Sequence, residues 1–290
     1  MTGAPFEIDV ARGYASKSAW DATAAELVAT MLDRWHLTPG EPLVGGVAAA
    51  VLAVETHDGH PAVLKVGYPH WEATHEAVGL ESYGAPLAPR VLRQDAWTWS
   101  LLLERVSPGV ALRDSALRVD VALRTAAHLH RRLADADVPD SVPALGEVVA
   151  SYLAPARALA DDPLVVDALD ELERLAADPA PSMLLHGDYN PGNILSSGDG
   201  WKVIDPKPIV GDPAFDLWPL LEQVGHPSRA SLELVARTTG YPIDRLARWA
   251  HARAGLNVTW FLDDVDEPPD TMMAAAAVDR MRFWRDLSGF

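Results

Sequence analysis

The sequence predicts an α+β fold with two lobes, a small antiparallel β-sheet carrying one helix and a larger, mainly helical lobe after it. Three observations predict this. The chain has 290 residues, enough for two hydrophobic cores at about 150 residues per domain. Short apolar runs crowd the stretch 43–106, and apolar residues at helical spacing dominate from residue 111 onward. The change of texture marks a hinge near residues 104–106, so the expected lobes are residues 1–104 and 105–290.

The elements follow in order. Trp20, Ala24, Leu27, Met31 and Trp35 recur at a 3.6-like period and predict a helix over 18–35, punctuated by Pro39-Gly40. Apolar runs at 43–54, 62–66, 90–92 and 97–106 read as strands, with Asp58-Gly59 as a tight turn between the first two. One helix is expected between the second and third runs. Pro69 would open it, and Glu72, Glu76 and Leu80 would continue it to Tyr83-Gly84. The order strand, strand, strand, helix, strand, strand describes a small antiparallel sheet. Beyond residue 111, helices are predicted over 114–134, 142–159, 163–177, 213–222, 228–238, 243–262 and 271–287. A hairpin interrupts them, from Asn193-Ile194-Leu195 through Gly198-Asp199-Gly200 to the run 201–204.

Charge and composition narrow the function. With 24 Lys and Arg against 41 Asp and Glu, the net charge is −17, which argues against binding a phosphate backbone and favours a cationic small molecule. Cysteine is absent, which removes disulfides, thiolate metal sites and cysteine nucleophiles. The first residues have neither a basic nor an apolar leader region, and no apolar run is long enough to span a bilayer. The expectation is a cytoplasmic protein, monomeric or weakly dimeric, with no nucleic-acid or membrane partner.

The chemistry concentrates in Leu184-Leu185-His186-Gly187-Asp188-Tyr189-Asn190-Pro191-Gly192-Asn193-Ile194-Leu195, a loop between a helix and the hairpin. Asp188 and Asn193 stand five apart, the spacing of the kinase catalytic loop His-x-Asp-x-x-x-x-Asn. There the Asp reaches the attacking hydroxyl and the Asn reaches the metal on the phosphates. Ordinary turn chemistry uses the same residue types, so the remaining set decides. Asp205 follows at the far end of the hairpin, where it can meet Asn193 at one Mg²⁺, a cation that takes hard oxygen ligands. Lys65 is the one charge in the apolar strand Ala62-Val63-Leu64-Lys65-Val66, and Glu76 on the next helix is its natural partner. Alone, Lys65 would read as an edge-strand solubiliser. In company with Glu76, Asp188, Asn193 and Asp205, in this order, it reads as the phosphate-holding Lys of a kinase.

These segments, together with Ile204-Asp205-Pro206-Lys207-Pro208-Ile209-Val210-Gly211-Asp212-Pro213-Ala214-Phe215-Asp216-Leu217-Trp218-Pro219, resemble the aminoglycoside phosphotransferase family, built on a protein-kinase-like fold. Within it, the similarity is to the branch of streptomycin 6-phosphotransferases and hydroxyurea phosphotransferases, and it spans nearly the whole chain. The resemblance implies Asp188 as catalytic base or hydroxyl-orienting residue, Asn193 and Asp205 as Mg²⁺ ligands and Lys65 as phosphate clamp. It also implies an adenine-binding hinge at residues 104–106, including Glu104 and Val106. The turn at Gly45 and Gly46 departs from Gly-x-Gly-x-x-Gly. Its small residues would allow close approach to phosphates, and tight hairpin packing explains them equally well.

Asp216 could cap the following helix or, by resemblance, tie down the catalytic loop. Lys207 could contact a phosphate or pair with Asp212. His186 reads as a structural loop residue, and His128 and His130 point to different faces of their helix. The acidic run 263–270, with Asp263, Asp264 and nearby Trp260, is either a solvated loop or a surface for a polycationic acceptor. The implied activity is transfer of the ATP γ-phosphate to a hydroxyl of a streptomycin-type aminoglycoside. Alternatives are hydroxyurea or a small sugar or amino alcohol as acceptor, a metallohydrolase built on His186, Asp188, Asn190 and Asn193, and a catalytically silent nucleotide-binding regulator.

Overall fold

The computed structural model of the chain describes residues 17–43, 48–178, 182–263 and 270–288. Helix α1 (Lys17–Trp35) leads into strands β1 (Thr38–Pro42), β2 (Ala49–Glu55) and β3 (Pro61–Gly67), then α2 (Glu76–Tyr83), β4 (Val91–Asp95), β5 (Ser100–Glu104) and β6 (Pro108–Ala111). Three helices follow, α3 (Val119–Leu133), α4 (Leu145–Leu159) and α5 (Pro163–Ala177). Four short strands come next: β7 (Met183–Leu185), β8 (Ile194–Ser197), β9 (Gly200–Val203) and β10 (Ile209–Gly211). The chain closes with α6 (Trp218–Gln223), α7 (Arg229–Thr239), α8 (Ile243–Leu262) and α9 (Thr271–Ser288). This is the predicted bilobal, protein-kinase-like α+β architecture. No helix among the described residues is long and apolar enough to cross a membrane.

The chain divides into two compact units: Met1–Val110 with Leu195–Lys207, and Ala111–Ile194 with Pro208–Phe290. In the first, an antiparallel sheet has the order β1-β2-β3-β5-β4, and Lys65 lies on its central strand, facing Val51 on one side and Leu101 on the other. Trp20, Met31 and Trp35 of α1 bury their rings and thioether against Val54, Leu64, Val66 and Leu102 of the sheet. A second sheet joins β6, β8 and β9. In the second unit, α8 is buried on nearly every side, from Leu246 to Thr259, as a helix at the centre of a bundle must be. Gly255 lets it close on α5, because a Cβ there would collide with the Ala168 methyl. β7 and β10 form a two-stranded ribbon.

Four local expectations are corrected. Pro39 and Gly40 do not end an element but lie in β1, an edge strand where a missing N–H breaks no ladder. Pro69 does not open a helix. The chain stays extended through His70, makes one 3-10 turn at Trp71–Ala73, and breaks again at His75 (φ −108°, ψ 14°), so that α2 starts at Glu76. The helix expected from 114 starts at Val119. The Ser115 hydroxyl takes the Leu112 carbonyl at 2.7 Å and ends a 3-10 turn there, while Arg118 remains extended beside Asp120. The helix expected over 213–222 is a 3-10 turn, Pro213–Leu217, running into α6.

Candidate active site

In the first unit the chemistry gathers around Lys65. Alternation along β3 buries Ala62, Leu64 and Val66 on one face and sends Lys65 to the other. Its Nζ donates to both oxygens of Glu76, at 2.7 and 2.6 Å, and to Asp205 Oδ1 at 2.5 Å. The break at His75 makes Glu76 the first residue of α2, and its carboxylate is almost wholly buried. Burial works against the Lys65 charge, but the Glu76 and Asp205 carboxylates outweigh it and raise its pKa above the ordinary lysine value. Asp205 holds a left-handed backbone at φ 58°, a strained conformation for a residue with a side chain. Two residues on, Lys207 Nζ pairs with Glu72 at 2.9 Å. At the end of β5, Glu104 Oε2 accepts the Arg90 N–H at 3.2 Å and faces the buried Lys202 ammonium at 3.8 Å. Arg105 and Val106 follow, both half-buried.

In the second unit, the loop after β7 turns back on itself. Asn190 Nδ2 donates to Asp188 Oδ1 at 2.9 Å, and its own Oδ1 accepts the Gly192 N–H at 2.8 Å. Asn193 Nδ2 donates to the Asp188 carbonyl at 3.0 Å. The His186 ring is fully buried, and its Nδ1 accepts the Asp188 N–H at 3.3 Å. That nitrogen is thereby taken up in holding the loop.

The buried Asp216 carboxylate accepts the N–H of His186 at 2.7 Å and of Gly187 at 2.9 Å. His130 of α3 approaches its Oδ2 to 3.4 Å. Sequence periodicity misses His130 because its partner lies on another element. Asp212 serves the bundle instead: it caps the Pro213 turn through the Ala214 N–H and receives Arg245 and the Trp249 indole.

Similarity to known proteins shows the family of this chain. The sequence profile described as aminoglycoside/hydroxyurea antibiotic resistance kinase matches residues 34–265. The chain belongs to that family. It is an ATP-dependent small-molecule kinase. The kinase is 32% identical to a streptomycin 6-kinase of Streptomyces glaucescens over 279 residues, covering 90% of each chain. It is 34% identical to a hydroxyurea phosphotransferase of Kitasatospora aureofaciens over 263 residues, covering 87% of this chain and 77% of that one. Its fold is that of a choline/ethanolamine kinase family protein from Mesorhizobium loti, with a TM-score of 0.68, 20% identity, and coverage of 94% and 95%.

A cation such as Mg²⁺ asks for carboxylate and amide oxygens, and Asp205 and Asn193 are residues of that kind. Among the described residues of the kinase, no three His, Asp or Glu side chains form a metal cage by themselves. The remaining ligands would be phosphate oxygens and water, as is usual for Mg²⁺ in phosphoryl transfer.

Asp216 also gives the kinase an acid limb of stability. Burial opposes its charge, but His130 and the backbone N–H groups prevail and lower its pKa below 3.8. Its contribution is therefore complete above pH 3.8 and is lost as pH falls through the lower folded value. Asp216→Asn is expected to be less stable near neutral pH by about 1–3 kcal/mol for each buried N–H it leaves unpaired. Urea unfolding should show this gap shrinking in acid, below pH 3.8. A gap constant with pH would mean that Asp216 is not held ionised.

Gly45, Gly46 and Asp264 lie outside the described residues. Trp260 is exposed and meets the Tyr152 ring edge-on at 6.0 Å, three residues before the exposed Asp263. Nothing in the two clusters above includes this pair.

Proposed function

We propose that this kinase moves the γ-phosphoryl group of ATP onto a hydroxyl of a streptomycin-type aminoglycoside. The observation that carries the chemistry is the buried Lys65 ammonium, gripped by Glu76 and Asp205, together with a separate loop that braces Asp188 and Asn193. Support for the acceptor comes from the streptomycin 6-kinase relative and from a net charge of −17, which attracts a polycation. Trp260 and Asp263 are the described residues proposed to face it. The 34% identity to a hydroxyurea phosphotransferase supports hydroxyurea as the second reading.

Each residue then has a task. Lys65, oriented by Glu76, holds the α- and β-phosphates, and the backbone of Glu104 and Val106 takes the adenine edge. Asn193 and Asp205 would hold Mg²⁺, which supplies neutralisation of phosphate charge. Asp188 accepts the proton of the acceptor hydroxyl as its oxygen forms the new bond to the γ-phosphorus. The bond between that phosphorus and the β–γ bridging oxygen breaks, and ADP leaves with the electron pair. Asp216 and His186 keep the loop backbone in place, and Lys207, with Glu72, fixes the chain just past Asp205. Catalysis is then positioning and charge neutralisation.

The test is Mg²⁺-dependent ADP release from ATP with streptomycin, other aminoglycosides, hydroxyurea and simple amino sugars offered singly. Streptomycin is expected to stimulate most strongly. Stimulation by hydroxyurea alone would replace the acceptor by the second reading. ATP binding with no stimulation by any acceptor would point to the silent regulator instead.

A further inference from the structure

Arg113 lies against the 188–193 loop. Its backbone N–H donates to the Pro191 carbonyl at 3.1 Å, which pins the 3-10 turn Leu112–Asp114 to the middle of the loop. Its guanidinium covers Gly192, so that a Cβ at that position would collide with Nη2, Cζ and Nε together. Cζ is nearer to that point than Nε, so the face of the guanidinium covers the glycine and its donor edge does not. A planar cation stacked in this way keeps its N–H fork available. The residue is exposed, and among the described residues no carboxylate pairs with it, although the chain carries 41 Asp and Glu against 24 Lys and Arg.

We propose that the Arg113 guanidinium binds a phosphate group of the nucleotide at the 188–193 loop. Arg is suited to this because its rigid planar fork meets two phosphate oxygens at once in a fixed geometry. Apart from the buried Tyr189, the loop's own groups are amides, backbone and one carboxylate, so without Arg113 it would bring Asp188 to a polyanion with no positive charge of its own. Gly192 is then glycine for a reason the loop turn alone does not require. It leaves room for the guanidinium.

This inference rests on the kinase reading, and its test separates the two. Equilibrium binding of ATP, ADP and adenosine, each with Mg²⁺, is measured on the full chain and on Arg113→Gln and Gly192→Ala. In Gly192→Ala the colliding atoms are the far end of a flexible side chain, so the methyl group displaces the guanidinium at little cost to the fold. Both variants are expected to lose about 10- to 100-fold in affinity for ATP, with adenosine binding and the thermal midpoint unchanged. Unchanged ATP affinity in Arg113→Gln, or an equal loss for adenosine, would overturn the assignment. If the unsubstituted chain bound ATP no better than adenosine, the kinase reading would fall along with it.

Discussion

Asp188→Asn is expected to lower kcat by about 10²–10⁴-fold while leaving the dissociation constant for ATP unchanged. The substitution keeps a side-chain oxygen to accept from Asn190 Nδ2, now at 2.9 Å, so the loop loses a proton acceptor and not its brace. The Asp188 carbonyl, which receives Asn193 Nδ2, belongs to the backbone and is untouched. Single-turnover measurement with saturating ATP isolates the chemical step from product release. A fall of less than about tenfold would show that Asp188 does not take the proton in the transition state.

Lys65→Met is expected to be the most damaging change to the first unit, costing about 3–5 kcal/mol, because it leaves the Glu76 carboxylate buried without its cation. The side chains of Lys65 and Glu76 are 14% and 7% exposed, so water can do little to screen the loss, whereas Asp205, at 40%, can be rehydrated. The double substitution Lys65→Met with Glu76→Gln removes both charges and should be the more stable of the two, a non-additivity that urea midpoints will read. Because the folded pKa of Lys65 lies above 10.5, its contribution is complete below pH 10.5 and is lost as pH rises through the folded value. The gap between wild type and variant should therefore be flat from about pH 7 to 9. A cost below about 1 kcal/mol would mean that the cluster behaves as an exposed ion pair.

The parts of this site that could be read in the sequence are those that local pattern constrains. Lys65 stands out because a charge interrupts an apolar strand, and Asp188 and Asn193 because a loop of five residues fixes their spacing. Glu76 could be named, but not the break at His75 that makes it the first residue of α2, since a helical period runs through both versions. The contacts of Glu72, His130, Lys202 and Arg113 are not legible in the sequence, for another reason. Each is an ordinary charged or polar residue until tertiary contact gives it a partner: Lys207, Asp216, Glu104 and Gly192 respectively. Strands β6, β7 and β10 are three or four residues long, too short to show an alternation.

The first unit takes its last strands from far along the chain, and this has a consequence for synthesis. Residues up to Val110 leave the ribosome about a hundred residues before Leu195–Lys207 does, a delay of roughly 5–20 s at the usual rates of elongation. During that interval β6 has no β8 to pair with, and its open edge is a place where another chain can add. Lys65 and Glu76 meet early, but Asp205 reaches them only after about half of the second unit has been made. A nascent chain stalled before residue 195 would hold the beginnings of a nucleotide site and an unpaired strand, a form that chaperones, and not ATP, would be the first to meet.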